Sequence, residues 1–128
     1  MLINVSNHPV ATWGPEQREA AEKAFGGVVD MPFPEIPPGW DVEEVVALAR
    51  RYRDRCLEAL RGASIRAVHV MGEHTFTYAL VTLLQREGVR CVAATTRRKV
   101  AYLEDGSKRS FFQFVRFRSY LDLQQLYG

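Results

Sequence analysis

Apolar residues in this chain fall into short runs, separated by stretches in which they recur every three or four positions. Leu2, Ile3 and Val5 form the first run, Val28, Val29 and Met31 the second, Ala67, Val68, Val70 and Met71 the third, and Cys91 to Ala94 the fourth. Runs of this length predict buried strands. Between them, Pro15 to Phe25 has proline in its first turn, acidic residues early and Gly26-Gly27 just past its end, which are helix start and stop signals. Asp41 caps a longer helix through about Leu60, with Val42, Val45, Val46, Ala49, Tyr52, Cys56 and Leu60 on one stripe, and Gly62 stops it. Phe76, Leu80, Leu83 and Leu84 mark a third helix. Strands alternating with helices predict an α/β fold built on a mainly parallel, doubly wound sheet of four strands with helices on both faces.

The pattern changes after Lys99. Val100 to Leu103 and Phe111 to Phe117 flank Glu104-Asp-Gly-Ser-Lys, whose Asp-Gly pair predicts a tight turn, so the chain should end in an antiparallel β-hairpin at one sheet edge. Tyr120 to Tyr127 adds a short final helix. The segment MPFPEIPPGW carries four prolines and reads as a stiff extended loop. With no internal repeat and no linker, residues 1–128 are expected to form a single domain.

An apolar content of 47% is enough to fill a core of this size without staples. Cys56 and Cys91, the two cysteines, fall in a helix and a strand pattern and are expected to be free core thiols, which favours the cytoplasm. No run approaches the ~20 apolar residues of a membrane span, and no secretory leader pattern opens the chain. Charge is uneven: residues 1–96 hold 10 basic and 12 acidic side chains, whereas 97–128 hold 7 and 3. A basic end points to an anionic ligand, or else to a solvated strand face.

Candidate chemistry gathers where strands give way to helices, at the carboxyl edge at which open α/β sheets bind ligands. Ser6, Asn7 and His8 end the first strand, Gly72, Glu73, His74 and Thr75 the third, and Thr95, Thr96, Arg97 and Arg98 the fourth. Two polar strand ends on one edge predict one site. Asn7, His8 and Thr12 could hold a base, ribose or phosphate with Trp13 as a stacking platform; alternatively they are turn and cap residues, with Trp13 covering the core. Glu73 could accept from an adenine amino group or a ribose hydroxyl, or simply answer the helix dipole. Strand alternation turns one of Arg97 and Arg98 toward the site, where a guanidinium suits phosphate. His69, between Val68 and Val70, reads as a hydrogen-bonded packing residue. Neither G-x-G-x-x-G nor G-x-x-x-x-G-K-[ST] is present, and the His and Cys spacings match no metal motif, so neither a cofactor nor a metal is expected. No serine or cysteine has the setting of a nucleophile.

Taken together, VSNHP, VDMPFP, VHVMGEHTFTYAL and CVAATTRR resemble a family of small standalone ancillary proteins of type III CRISPR systems, Rossmann-like and grouped with CARF proteins and small ring nucleases. The resemblance covers nearly the whole chain. It implies a cyclic oligoadenylate ligand, most often the four-adenosine ring, held between two copies of the chain, with Ser6, Asn7, His8, Gly72, Glu73, Thr75, Thr95, Thr96 and Arg97 matching the strand-end motifs. A homodimer suits such a ring because a two-fold site offers the same contacts to both halves. Ring nucleases of this kind work without metal by aligning a ribose 2′-hydroxyl with its phosphate. The absence of a clear acid–base pair favours sequestration of the messenger over its cleavage. Ring cleavage and a ligand-free dimeric module built on the aromatic hairpin are the alternatives; neither a membrane nor duplex nucleic acid is expected as a partner.

Overall fold

The computed structural model describes residues 1–127. Five strands form one sheet: β1 (Leu2–Ser6), β2 (Val28–Asp30), β3 (Ala67–Met71), β4 (Arg90–Tyr102) and β5 (Lys108–Ser119), in the order β2-β1-β3-β4-β5. The first four run parallel, and β5 lies antiparallel on the outer edge of β4. Four helices accompany them: α1 (Pro15–Phe25), α2 (Val42–Ala59), α3 (His74–Arg86) and α4 (Leu123–Tyr127), with a 3-10 turn at Val10–Thr12.

Strand periodicity divides the core in two. Ile3, Val5, Val68, Val70 and Cys91 pack beneath α2 and α3 through Val45, Ala49, Cys56, Phe76, Leu80 and Leu84. Leu2, Ala67 and Val92 point the other way, against Trp13 and against Ala21 and Phe25 of α1. Helices therefore cover both faces, as the alternating pattern requires. Cys56 and Cys91 are free and buried, and burial pushes both thiols up to about 12.

Local signals set the helix ends. Pro15 opens α1 where no N–H is needed, and Gly26 closes it at a φ of 81°. Asp41 accepts from the Val42 N–H, while the Glu44 carboxylate accepts from the Asp41 N–H, completing a capping box at the start of α2.

The antiparallel hairpin lies at the sheet edge as expected, and the strand count differs from the expected four. Nothing between Cys91 and Tyr102 breaks a strand, so β4 runs uninterrupted through Thr95, Thr96 and Val100 and is itself the first arm of the hairpin, which makes five strands in all. Opposite Thr95 and Thr96 the register slips, leaving Val115 without a partner in the ladder. The turn forms around Asp105, whose carboxylate accepts from the Ser107 N–H, and Gly106, at a φ of 84°. No helix among the described residues is long and apolar enough to cross a membrane.

Candidate ligand cavity at the carboxyl edge

Along the face covered by α1, β1 presents Leu2, Asn4 and Ser6, and β3 presents Ala67, His69 and Met71. The inward residues are thus apolar at the amino ends of the strands and polar toward the carboxyl ends. Asn4, Ser6 and His69 are the buried polar side chains of the described residues, and they form one connected network. Asn4 is its hub. Its Nδ2 donates to the His8 carbonyl at 2.8 Å and to Asp30 Oδ1 at 2.9 Å. Its Oδ1 lies 2.8 Å from both the Ser6 hydroxyl and His69 Nδ1. Asp30 in turn accepts from the Val10 N–H, tying the end of β2 to the loop after β1.

The tautomer of His69 follows from its neighbours. The Ala94 N–H can only donate, so Nε2, 3.1 Å away, accepts, and Nδ1 carries the proton that Asn4 receives. Burial is the main reason that the imidazole pKa falls to about 4, and the nearby His8 adds to it. His69 stands where β4 parts from β3, since their pairing ends at His69 and Val92. Its ring supplies the partner that the ladder no longer offers Ala94. The Tyr120 hydroxyl does the same for the Val70 carbonyl at 2.6 Å. Trp13 and Phe117 meet the imidazole edge-on, each with ring centroids 5.6 Å away.

The opening between the diverging strands leads into a cavity of about 790 Å³. His8, Thr12, Trp13 and the start of α1 form one wall, His69 and Met71 lie at its base, and Ala94, Thr96, Lys99 and Phe111 to Phe114 of the hairpin form the other wall. The cavity lies on the α1 face at the carboxyl edge where open sheets take ligands, between the chain that follows β1 and the part of β4 and β5 that runs on past β3. The rim is preorganised, because the His8 carbonyl accepts both from Asn4 and, at 2.9 Å, from the Trp13 indole N–H.

Of the residues expected at a site, His8, Thr12, Trp13 and Thr96 line this cavity. Ser6 supports it from within the network, and the Thr12 hydroxyl donates to the Pro9 carbonyl as a turn residue does. Asn7 is exposed outside the lining. Thr95 donates to the Arg116 carbonyl, and neither Thr95 nor Arg97 reaches the cavity; Lys99 is the cation that does. The strand end after β3 does not join the one after β1. Its chain leaves toward α3, on the opposite face of the sheet, and carries its polar residues there. Glu73 caps α3, accepting from the Thr75 hydroxyl at 2.6 Å and the Phe76 N–H at 2.7 Å, contacts that hold its carboxyl below the usual range. Gly72 makes room for Phe33 of the proline-rich loop, whose ring would lie 2.2 Å from a Cβ at that position. His74 and Thr75 border a separate groove of about 650 Å³, with Trp40, Val42 and Tyr78, between α2 and α3. Sequence reasoning did not place Lys99, Phe111, Phe112 or His69 in the cavity; the alternation of cations and aromatics in the hairpin was the available signal. Among the described residues no three His, Cys, Asp or Glu side chains converge as a metal site would require.

The fold and cavity define a five-stranded, mostly parallel α/β domain with a ligand-sized opening at its carboxyl edge. The profile of the Uncharacterized protein MJ1673 family matches residues 1–118, nearly the entire chain, and the protein belongs to that family. No curated protein and no solved structure matches it.

Proposed function

We propose that this protein is a Rossmann-like binder of a cyclic oligoadenylate, the four-adenosine ring, and that it lowers the free level of this messenger by holding it intact between two copies of the chain. The observation that carries the reading is the cavity on the α1 face at the carboxyl edge, which combines a cation, Lys99, and a carboxylate, Glu16, with His8, Thr12 and an aromatic wall. Phosphate is met by the cation and by polar groups at a strand end, and bases find rings to stack on. A cavity of about 790 Å³ is in the range that encloses a drug-sized ligand, and a ring of four nucleotides is larger than that. The other half of the ring then falls to a second copy across a two-fold axis. The resemblance to type III CRISPR ancillary proteins supplies the ligand class, and the two free buried cysteines favour a cytoplasmic setting.

Retention is favoured over cleavage by the state of the imidazoles. His69 spends both ring nitrogens on Asn4 and Ala94 and stays neutral, which leaves His8 without a second imidazole to complete an acid–base pair. Calorimetry should find the ring bound more tightly than linear tetra-adenylate, since the ring loses less freedom on binding. Lys99→Ala should weaken binding by a charge-assisted contact, on the order of 1.5–3 kcal/mol, whereas Arg97→Ala should leave it near the unmodified value. Protein in excess over labelled ring should return it unaltered on denaturation. Equal affinity for ring and linear forms refutes the ligand assignment. Conversion of many rings by substoichiometric protein into linear products ending in 2′,3′-cyclic phosphate refutes sequestration in favour of a ring nuclease.

A further inference from the structure

Past the pairing of Ala67–His69 with Arg90–Val92, β4 has no neighbour except β5. The remainder of the two strands is a two-stranded arm extending beyond the sheet, a form that by itself is marginally stable in water. Residues 97–118 hold seven basic and two acidic side chains, a net of +5. The side-chain ion pairs of the described residues are Arg53–Asp54 and Arg61–Glu58, so no carboxylate neutralises a cation of the arm. Rings interleave with these charges. Tyr102 is 73% exposed and Phe112 71%. Cross-strand partners share a face, which puts Arg98, Phe112, Tyr102 and Lys108 on one side and Lys99, Phe111 and Arg109 on the other. Lys108 Nζ sits 5.6 Å from the Tyr102 ring centroid and Arg98 donates to the Ser110 hydroxyl at 3.1 Å, contacts that hold the outer surface in shape.

Two occupants compete for this surface. Pairing with the arm of a second copy would cover the rings but set +5 against +5. A strand of nucleic acid answers both features, because phosphates neutralise the cations and unpaired bases stack on the rings. Duplex offers phosphates but keeps its base faces buried. We propose that the outer arm, through Arg98, Tyr102 and Lys108, which share one face, binds single-stranded nucleic acid with little preference for base.

The test follows the anisotropy of fluorescein-labelled U12 titrated with the intact protein over a series of salt concentrations. Binding is expected with a log K against log salt slope of about −0.7 for each phosphate neutralised. Tyr102→Ala should weaken it on the order of tenfold, and Arg98→Gln or Lys108→Gln should each reduce the slope by about 0.7. Unlabelled duplex should compete poorly. These three side chains are outside the cavity lining, so the variants should keep the melting temperature and the ring affinity of the parent, and the arm can fail while the cavity reading stands, or the reverse. No binding of U12 at low salt overturns the proposal, as does duplex competing as well as single strand. A dimer in sedimentation that Tyr102→Ala dissolves, with no oligonucleotide bound, overturns it in favour of self-association.

Discussion

Acid should loosen this fold through His69, by an amount that the structure allows to be worked out. The native imidazole is neutral, with Nε2 accepting from the Ala94 N–H and Nδ1 donating to Asn4. Protonation would place two donors face to face at Ala94 and would bury a charge beside Trp13 and Phe117. Its pKa accordingly falls from the ordinary 6.5 to about 4. Below about pH 6.5 the unfolded chain takes up a proton that the native state refuses until about pH 4. Stability present at neutral pH is therefore lost as the pH falls through that window, by about 3 kcal/mol in total. Glu73 and Asp105, whose carboxyls are held below the usual range by hydrogen bonds, also lose their contributions in acid. A His69→Gln variant retains those carboxylates and removes the titrating ring, so the difference between the two proteins isolates the imidazole. Urea unfolding at pH 7, 6, 5 and 4 should show the parent losing about 3 kcal/mol more than the variant, and the His69 ring signals in NMR should titrate near pH 4. Parallel stability profiles, or a His69 titration near 6.5, would refute the assigned tautomer and burial.

Three further outcomes follow from the same structure. Asn4→Ala should cost about 2–3 kcal/mol in urea unfolding, because it leaves the buried His69 N–H without its acceptor and releases the His8 carbonyl and Asp30 together; a neutral effect would mean that the network is not a unit. Asp41→Ala should lower stability by about 1 kcal/mol and reduce helical circular dichroism through loss of the α2 cap, with Asp41→Ser restoring most of it. At pH 8 the native Cys56 and Cys91 thiols, pushed up to about 12 by burial, should resist an aromatic disulfide reagent, and both should react once urea unfolds the chain. Rapid modification of the folded protein would contradict the core placement of both.

The sequence by itself determined the alternation of strands and helices, the two-sided burial of the sheet, the caps at Pro15, Gly26 and Asp41, and the turn at Asp105-Gly106. All of these depend on spacings within a few residues, where periodicity and capping chemistry act directly. It also marked His69 as a hydrogen-bonded packing residue, because a polar residue alternating with Val68 and Val70 in a buried strand must find partners. Which polar strand ends share a site was decided only by the tertiary structure. β1 hands its chain to α1 and β3 hands its chain to α3 across the sheet, so Ser6 and His8 part company with Glu73 and His74 although both groups end strands at the same edge. The continuity of β4 was likewise hidden, because a strand interior and a hairpin arm have the same local pattern and differ only in whether β3 is alongside. Lys99 rather than Arg97 borders the cavity for the same reason: position along a strand is local, but the surface that a long two-stranded arm presents depends on the elements it leaves and the wall it meets.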